Sequence, residues 1–259
     1  MKQQHFIQMV LVFVVALLLQ SCSNDTTQMA HVKFILVDAP GDYEAVTIDL
    51  KDVLINRTDT DNNWESLGAV AGKYNLLELT GGVEALIAEN EIPAGLIKQV
   101  RLLLGPDNTI TLKGGTVVKL DTPSAQQSGL KLKFNTELKA GVTYTFILDF
   151  DADKSVVRAG DSGKYNLKPV IRVTTTALSG AIIGKITPFN FVANVKALNA
   201  TDTIATQTDN LGKFMLKGVL PGTYKVVVTP DPLSGFAPKE ILNTNVTLGN
   251  VTDVGTITF

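Results

Sequence analysis

Three observations in the 259-residue sequence predict an all-β chain, built as two antiparallel β-sandwich domains behind an export signal. First, it contains 28 Thr and 27 Val, and β-branched residues favour extended backbone. Second, apolar and polar residues alternate with period two in several stretches, as they do when a strand gives one face to a core and the other to water. Third, these runs are short and broken by Gly, Pro, Asn and Asp, a rhythm that fits sandwiches better than alternating strand–helix units. The 45% hydrophobic and 19% charged residues place the chain among folded proteins.

The amino terminus reads MKQQHFIQMVLVFVVALLLQSC. Lys2 supplies a positive start, and Met9 to Leu19 form an uncharged apolar run of eleven residues. At about 1.5 Å per helical residue this run reaches only half of a ~30 Å hydrocarbon core, which is the length of a signal h-region rather than a membrane span. It ends in Leu19-Gln20-Ser21-Cys22, which resembles the lipobox of bacterial lipoproteins. The resemblance implies cleavage after Ser21, diacylglycerol on the Cys22 thiol and acylation of the new amine, with palmitate-type chains anchoring the chain to an outer membrane. Residues 1–21 then form the signal peptide and 22–30 an acylated tether. Cys22 is the only cysteine in the chain.

The first sandwich is expected over residues 31–177. Val46, Ile48 and Leu50 alternate with Thr47, Asp49 and Lys51. Leu130, Leu132 and Phe134 alternate with Lys131 and Lys133, and Tyr144, Phe146, Leu148 and Phe150 with Thr143 and Thr145. Val83 to Ala88 is expected to form a turn or two of helix before Pro93, and Asp151 to Val157 another. Tyr165 to Val173 has the pattern of a closing strand, and the boundary falls near Thr176-Ala177-Leu178-Ser179-Gly180. The second sandwich, residues 178–259, shows about seven short strands. Both pieces carry a Pro–Gly device, Ile92-Pro93-Ala94-Gly95 and Leu220-Pro221-Gly222-Thr223, expected to turn the chain into the following strand.

Two resemblances refine this picture. Thr208-Asp209-Asn210-Leu211-Gly212-Lys213-Phe214, followed by Leu220-Pro221-Gly222-Thr223-Tyr224-Lys225-Val226, resembles the carboxypeptidase regulatory-like family over residues 178–259. That resemblance implies a seven-stranded, prealbumin-like accessory sandwich without catalysis, with Asn210 and Gly212 in a hairpin turn and Phe214 and Leu216 facing inward. Val192-Ala193 stands where the family has Gly-Ala. The first piece resembles the family called domain of unknown function 4382 over residues 31–176. The matching residues are Val37-Asp38-Ala39-Pro40, Trp64-Glu65-Ser66-Leu67, Leu76-Leu77-Glu78-Leu79, Ile92-Pro93-Ala94-Gly95 with Val100-Arg101-Leu102, Ser128-Gly129-Leu130-Lys131-Leu132, Leu148-Asp149-Phe150-Asp151, and Leu167 to Val173. The pattern departs at Ile97, where an aromatic is expected. Members resemble exported lipoproteins of Bacteroidetes type without an established activity.

Chemistry-bearing constellations are sparse. Asp149, Asp151 and Asp153 space carboxylates as calcium loops do, but the EF-hand pattern needs Gly at Lys154 and an acid at Gly160. Helix capping by Asp151 or Asp153 is the favoured role, so no metal or other cofactor is expected. Asn56 to Asn63 has the composition of a solvated hairpin tip, and Trp64, beside it, is expected in the core. Thr26 and Thr203 follow Asp in a three-residue pattern resembling bacterial O-glycosylation sites, and both are expected in loops. One cysteine and the two histidines His5 and His31 exclude a disulfide framework and a Cys/His zinc site. No G-x-S-x-G, phosphate-cradling loop or H-E-x-x-H occurs, and a net charge of −2 gives nucleic acid no electrostatic footing. The sequence thus predicts a non-catalytic envelope module for a glycan or surface protein. The alternative is a subunit of an outer-membrane or pilus-like assembly, ahead of a polysaccharide-active enzyme.

Overall fold

The structure of the protein, a computed structural model, describes residues 28–122, 130–176 and 179–259. Two hydrophobic cores organise it. The first is built from β1 (Met29–Ala39), β2 (Ala45–Asn56), β3 (Glu65–Ser66), β4 (Gly72–Asn75), β5 (Ala85–Pro93), β6 (Gly95–Leu104), β7 (Thr109–Thr111) and β8 (Val117–Asp121). After them come β9 (Leu130–Leu138), β10 (Thr143–Asp151), a one-turn helix α1 (Ala152–Ser155), β11 (Val156–Arg158), β12 (Tyr165–Leu167) and β13 (Ile171–Thr175). A four-stranded sheet in the order β13-β10-β1-β5 packs on a nine-stranded one in the order β11-β12-β8-β7-β2-β6-β9, with β3 and β4 also paired to β2.

The alternating stretches place their apolar residues where a sandwich needs them. Val46, Ile48 and Leu50 of β2 are buried, as are Phe146, Leu148 and Phe150 of β10. Phe34, Phe134 and Phe146 form an aromatic knot with centroids 4.4–5.9 Å apart. Register sets this knot, because Phe34 lies opposite Phe146 and Leu36 opposite Leu148. That β1–β10 pairing is parallel, as are β8–β12 and the pairing of Gly180–Thr187 with Val251–Thr258 in the second core; the other strand pairs among the described residues are antiparallel.

Three local expectations are corrected. Ala85 to Pro93 is a strand rather than the helix expected over 83–88, because it pairs with β1 along its length, Ala88 opposite Phe34 and Ile92 opposite Ala30. Tertiary pairing overrides the helical propensity of Glu84-Ala85-Leu86. Trp64 is half-buried rather than in the core: the Arg101 guanidinium lies 3.8 Å over its ring. Thr203 opens a strand, opposite Leu198, rather than lying in a loop.

The second core gathers β14 (Gly180–Thr187), β15 (Ala193–Leu198), β16 (Thr203–Gln207), β17 (Lys213–Val219), β18 (Gly222–Pro230), β19 (Lys239–Val246) and β20 (Val251–Thr258). These seven strands form a three-stranded sheet, β17-β14-β20, and a four-stranded one, β16-β15-β18-β19. Phe214, Leu216 and Tyr224 are buried between them. At the tip joining β16 to β17, the Asp209 carboxylate accepts the N–H groups of Leu211 and Lys213, and Gly212 takes a φ of 74°. Among the described residues no helix is long and apolar enough to cross a membrane.

Candidate binding groove at the junction of the two sandwiches

β1 and β10 occupy the middle of their sheet, and both of their faces are covered. One face carries Phe34, Leu36, Phe146 and Leu148 into the first core. The other carries Ile35, Val37 and Ile147, which form a small buried cluster of their own. The second sandwich covers that face. β16 packs on β1, and Ile204, Thr206 and Met215 meet Val37 and Asp38 around a cavity of about 10 Å³. The Gly81 N–H donates to Thr206 Oγ1 at 2.7 Å, and Lys217 pairs with Glu84 at 2.5 Å. The approach is close enough that a Cβ on Gly218 would stand 2.5 Å from Thr174 Cγ2.

Charge is buried in this junction with partners. Arg172 on β13 donates from Nε and Nη2 to Asp149 Oδ2, at 3.2 and 3.0 Å. Its Nη1 crosses to the second sandwich, donating to the Gly218 carbonyl at 2.9 Å and to Asp202 Oδ2 at 3.4 Å. Burial pushes the Asp149 carboxyl above its ordinary range, and Arg172 pulls it back. Asp38, one strand away, accepts the Ala152 N–H at 3.0 Å through Oδ1. Its Oδ2 has no hydrogen-bond partner among the described residues. Desolvation, reinforced by Asp149 and Asp151, raises its pKa to about 9, so at neutral pH Asp38 is a protonated acid.

The three carboxylates spaced like calcium ligands are divided among separate tasks. Asp149 is paired with Arg172. Asp151 caps α1, accepting the Lys154 N–H at 3.0 Å on Oδ1 and the Lys154 Nζ at 2.7 Å on Oδ2, which is the capping role expected for this segment. Asp153 is exposed. Among the described residues no group of three His, Cys, Asp or Glu side chains is placed to hold a metal ion. Asn56, expected in a solvated loop tip, is buried and organises that loop: its Nδ2 donates to the carbonyls of Thr60 and Asn62 and its Oδ1 accepts the Thr58 N–H.

Beyond the buried junction the two sandwiches diverge and leave a groove. Its floor is the outer face of the second sandwich's four-stranded sheet. Register puts Asn194 opposite Gln207 on one side and Thr229 on the other, and Lys196 opposite Ala205 and Val227. Its wall is the segment after β1 together with α1. The inner recess, about 320 Å³, is bounded by Ala39, Pro40, Asp151, Asp153, Lys196 and Thr203. An outer recess of about 620 Å³ shares Pro40, Asp153 and Lys196 with it and extends past Tyr43, Asn194, Gln207 and Thr229. Volumes of this size are usual for ligand sites. Sequence reading named Asp151, Asp153 and Thr203 on other grounds. It missed Asn194, Lys196 and Gln207, whose only signal was outward-facing alternation on β15 and β16, and Tyr43, which lies between β1 and β2 and had none. Cys22, Ser21 and Thr26 lie outside the described residues.

Fold and groove together define an all-β protein of two docked sandwiches with a recess of mixed polar and apolar lining between them. The chain belongs to the family described as Domain of unknown function (DUF4382), whose model matches residues 29–169. No curated protein matches it. Among solved structures it is similar to a leucine-rich repeat protein from Bacteroides thetaiotaomicron VPI-5482, at 12% identity and a TM-score of 0.20, covering 90% of this chain and 26% of that one. The Bacillus anthracis TIE protein follows at 11% identity and a TM-score of 0.21, covering 89% and 34%. A streptococcal ancillary pilin matches at 11% identity and a TM-score of 0.18, covering 89% and 63%. The chain therefore spans less than two thirds of each of these structures, and likeness at this level carries no functional weight.

Proposed function

We propose that this chain is a lipid-anchored protein of the bacterial envelope whose two sandwiches form a non-catalytic binding module for a glycan or another surface protein. The observation that carries the reading is the placement of the groove relative to the tether. Met29, in the last residues of the proposed tether segment, already begins β1, and Ala39 and Pro40, at its far end, bound the groove. Eleven extended residues at about 3.3 Å each separate the two by roughly 33 Å. Anchoring through Cys22 would therefore hold the recess away from the lipid surface. The Leu19-Gln20-Ser21-Cys22 sequence supports the anchor, since several acyl chains on one cysteine make membrane attachment effectively permanent. The seven strands of residues 180–258, in sheets of three and four, support reading the second unit as a carboxypeptidase regulatory-like accessory sandwich.

Metabolic labelling tests the anchor. Labelled palmitate is expected in the wild-type chain and absent from Cys22→Ala; equal labelling of both overturns it. Incubation of the purified protein with cell-wall and plant polysaccharides is expected to release no reducing ends, and release would replace the binding module with an enzyme.

A further inference from the structure

We propose that the groove between the sandwiches is a carbohydrate-binding site that takes an oligosaccharide chain along the outer face of β15 and β16. The proposal rests on the binding-module reading above and adds the ligand class and the residues. The floor presents side chains from the face of a sheet rather than its edge. β16 is the edge strand of this sheet, but its edge is turned toward the first sandwich, where Ile204 and Thr206 meet Val37 and Asp38, so a peptide in the groove would meet side chains rather than main-chain partners. The lining intersperses Pro40, Pro230 and Pro232 with Asn194, Lys196 and Gln207, so it offers no continuous apolar surface for a hydrophobic anchor. Charges of both signs line it, so nothing favours a polyanion.

What the floor offers is hydrogen-bonding capacity held in place. Gln207 Nε2 donates to Asn194 Oδ1 at 3.0 Å. This bond fixes two planar amides side by side and leaves the Asn194 N–H groups and the Gln207 carbonyl oxygen without another partner among the described residues. An adjacent donor and acceptor match the vicinal hydroxyls of a sugar ring, each of which both donates and accepts. Lys196, next on the same face, and Asp153, on the facing wall, have no ion pair among the described residues, although most of their charged neighbours do. Lys196 can donate to hydroxyl groups and Asp153 can accept from them without first breaking a salt bridge. Tyr43 completes the wall: its ring is half-buried against the first core, and burial together with Asp153 raises its phenol above the ordinary value. An aromatic edge with a polar tip suits a ligand whose ring faces are apolar and whose rim is polar.

The test uses the chain from residue 23 onward and a panel of maltohexaose, cellohexaose, laminarihexaose, xylohexaose and chitohexaose, read by calorimetric titration. Binding of at least one hexaose is expected. Asn194→Ala and Lys196→Ala are expected to weaken it at least ten-fold, while Lys164→Ala, on an exposed turn of the first sandwich, leaves it unchanged. All three positions are exposed, so unchanged melting temperatures separate lost binding from lost fold. Binding that survives both groove variants overturns the site, and failure of every hexaose at millimolar concentration overturns the ligand class. Neither outcome touches the palmitate experiment, which decides the anchor by itself.

Discussion

Arg172 and Asp149 form the charged centre of the junction: two guanidinium N–H groups converge on one carboxylate oxygen at 3.0 and 3.2 Å. The third arm of the same guanidinium reaches the second sandwich at the Gly218 carbonyl. One side chain thus neutralises a buried acid of the first unit and satisfies a backbone acceptor of the second.

Removing Arg172 should therefore cost more than removing an ordinary surface charge. Arg172→Ala leaves Asp149 buried without its cation, and loss of one member of such a pair costs about 3–5 kcal/mol; partial exposure of Arg172 places the expected loss at about 3 kcal/mol. Asp149→Asn, which removes the charge needing compensation, is expected to cost less. Urea unfolding of the two variants checks the order, and equal losses would contradict it.

Asp38 should make stability fall as pH rises. Its carboxyl titrates near 3.8 when exposed and near 9 in the fold, so the folded state holds a proton that the unfolded state has released across that interval. The stability this acid contributes is fully present below about pH 3.8 and is lost progressively up to about pH 9. Asp38→Asn mimics the protonated acid without titrating. Its melting temperature relative to wild type is expected to rise between pH 5 and pH 9, and a constant difference would show that Asp38 does not carry the effect.

Gly218→Ala should loosen the docking of the two units. The residue has a φ of 65°, and its Cβ would stand 2.5 Å from Thr174 Cγ2 and 3.2 Å from Ile147 Cδ1. Gly114→Ala provides the comparison, since Gly114 also has positive φ, 94°, but nothing lies within 4 Å of its Cβ position. The conformational penalty alone is about 1–2 kcal/mol, and Gly218→Ala is expected to exceed it by a further ~1–3 kcal/mol of overpacking. Thermal melts of both variants measure the difference.

Millimolar calcium should leave the melting temperature unchanged. Asp149 is occupied by Arg172, and both oxygens of Asp151 are occupied by Lys154, leaving Asp153 alone of the three. A ligand that binds only the folded state raises its stability in proportion to the logarithm of its concentration. A calcium-dependent rise would therefore show that the ion displaces these partners.

Much of the molecule was legible in its residues. The period-two runs at 46–50 and 144–150 marked strands and their core faces, and the Thr208 to Phe214 motif marked a turn whose Asp209 and Gly212 behave as turn chemistry requires. Asp151 was legible as a helix cap because capping is a local property of three or four residues. By contrast, Glu84 to Ala88 has helical propensity and lies in or beside a strand, because its partner, β1, is far away in sequence, with Ala85 opposite Leu36 and Ala88 opposite Phe34.

The sequence by itself determined the all-β class, the strand faces of the first core and the chemistry expected at Cys22, since each depends on neighbours within a few residues. Only the tertiary structure decided that Ile35, Val37 and Ile147 are buried rather than wet, that Asp38 is a protonated acid, and that Asn194, Lys196 and Gln207 share a groove with Asp153 and Tyr43. The reason is physical: burial and electrostatics depend on what lies across a junction, and residues 35, 147 and 218 carry no local mark that they will meet.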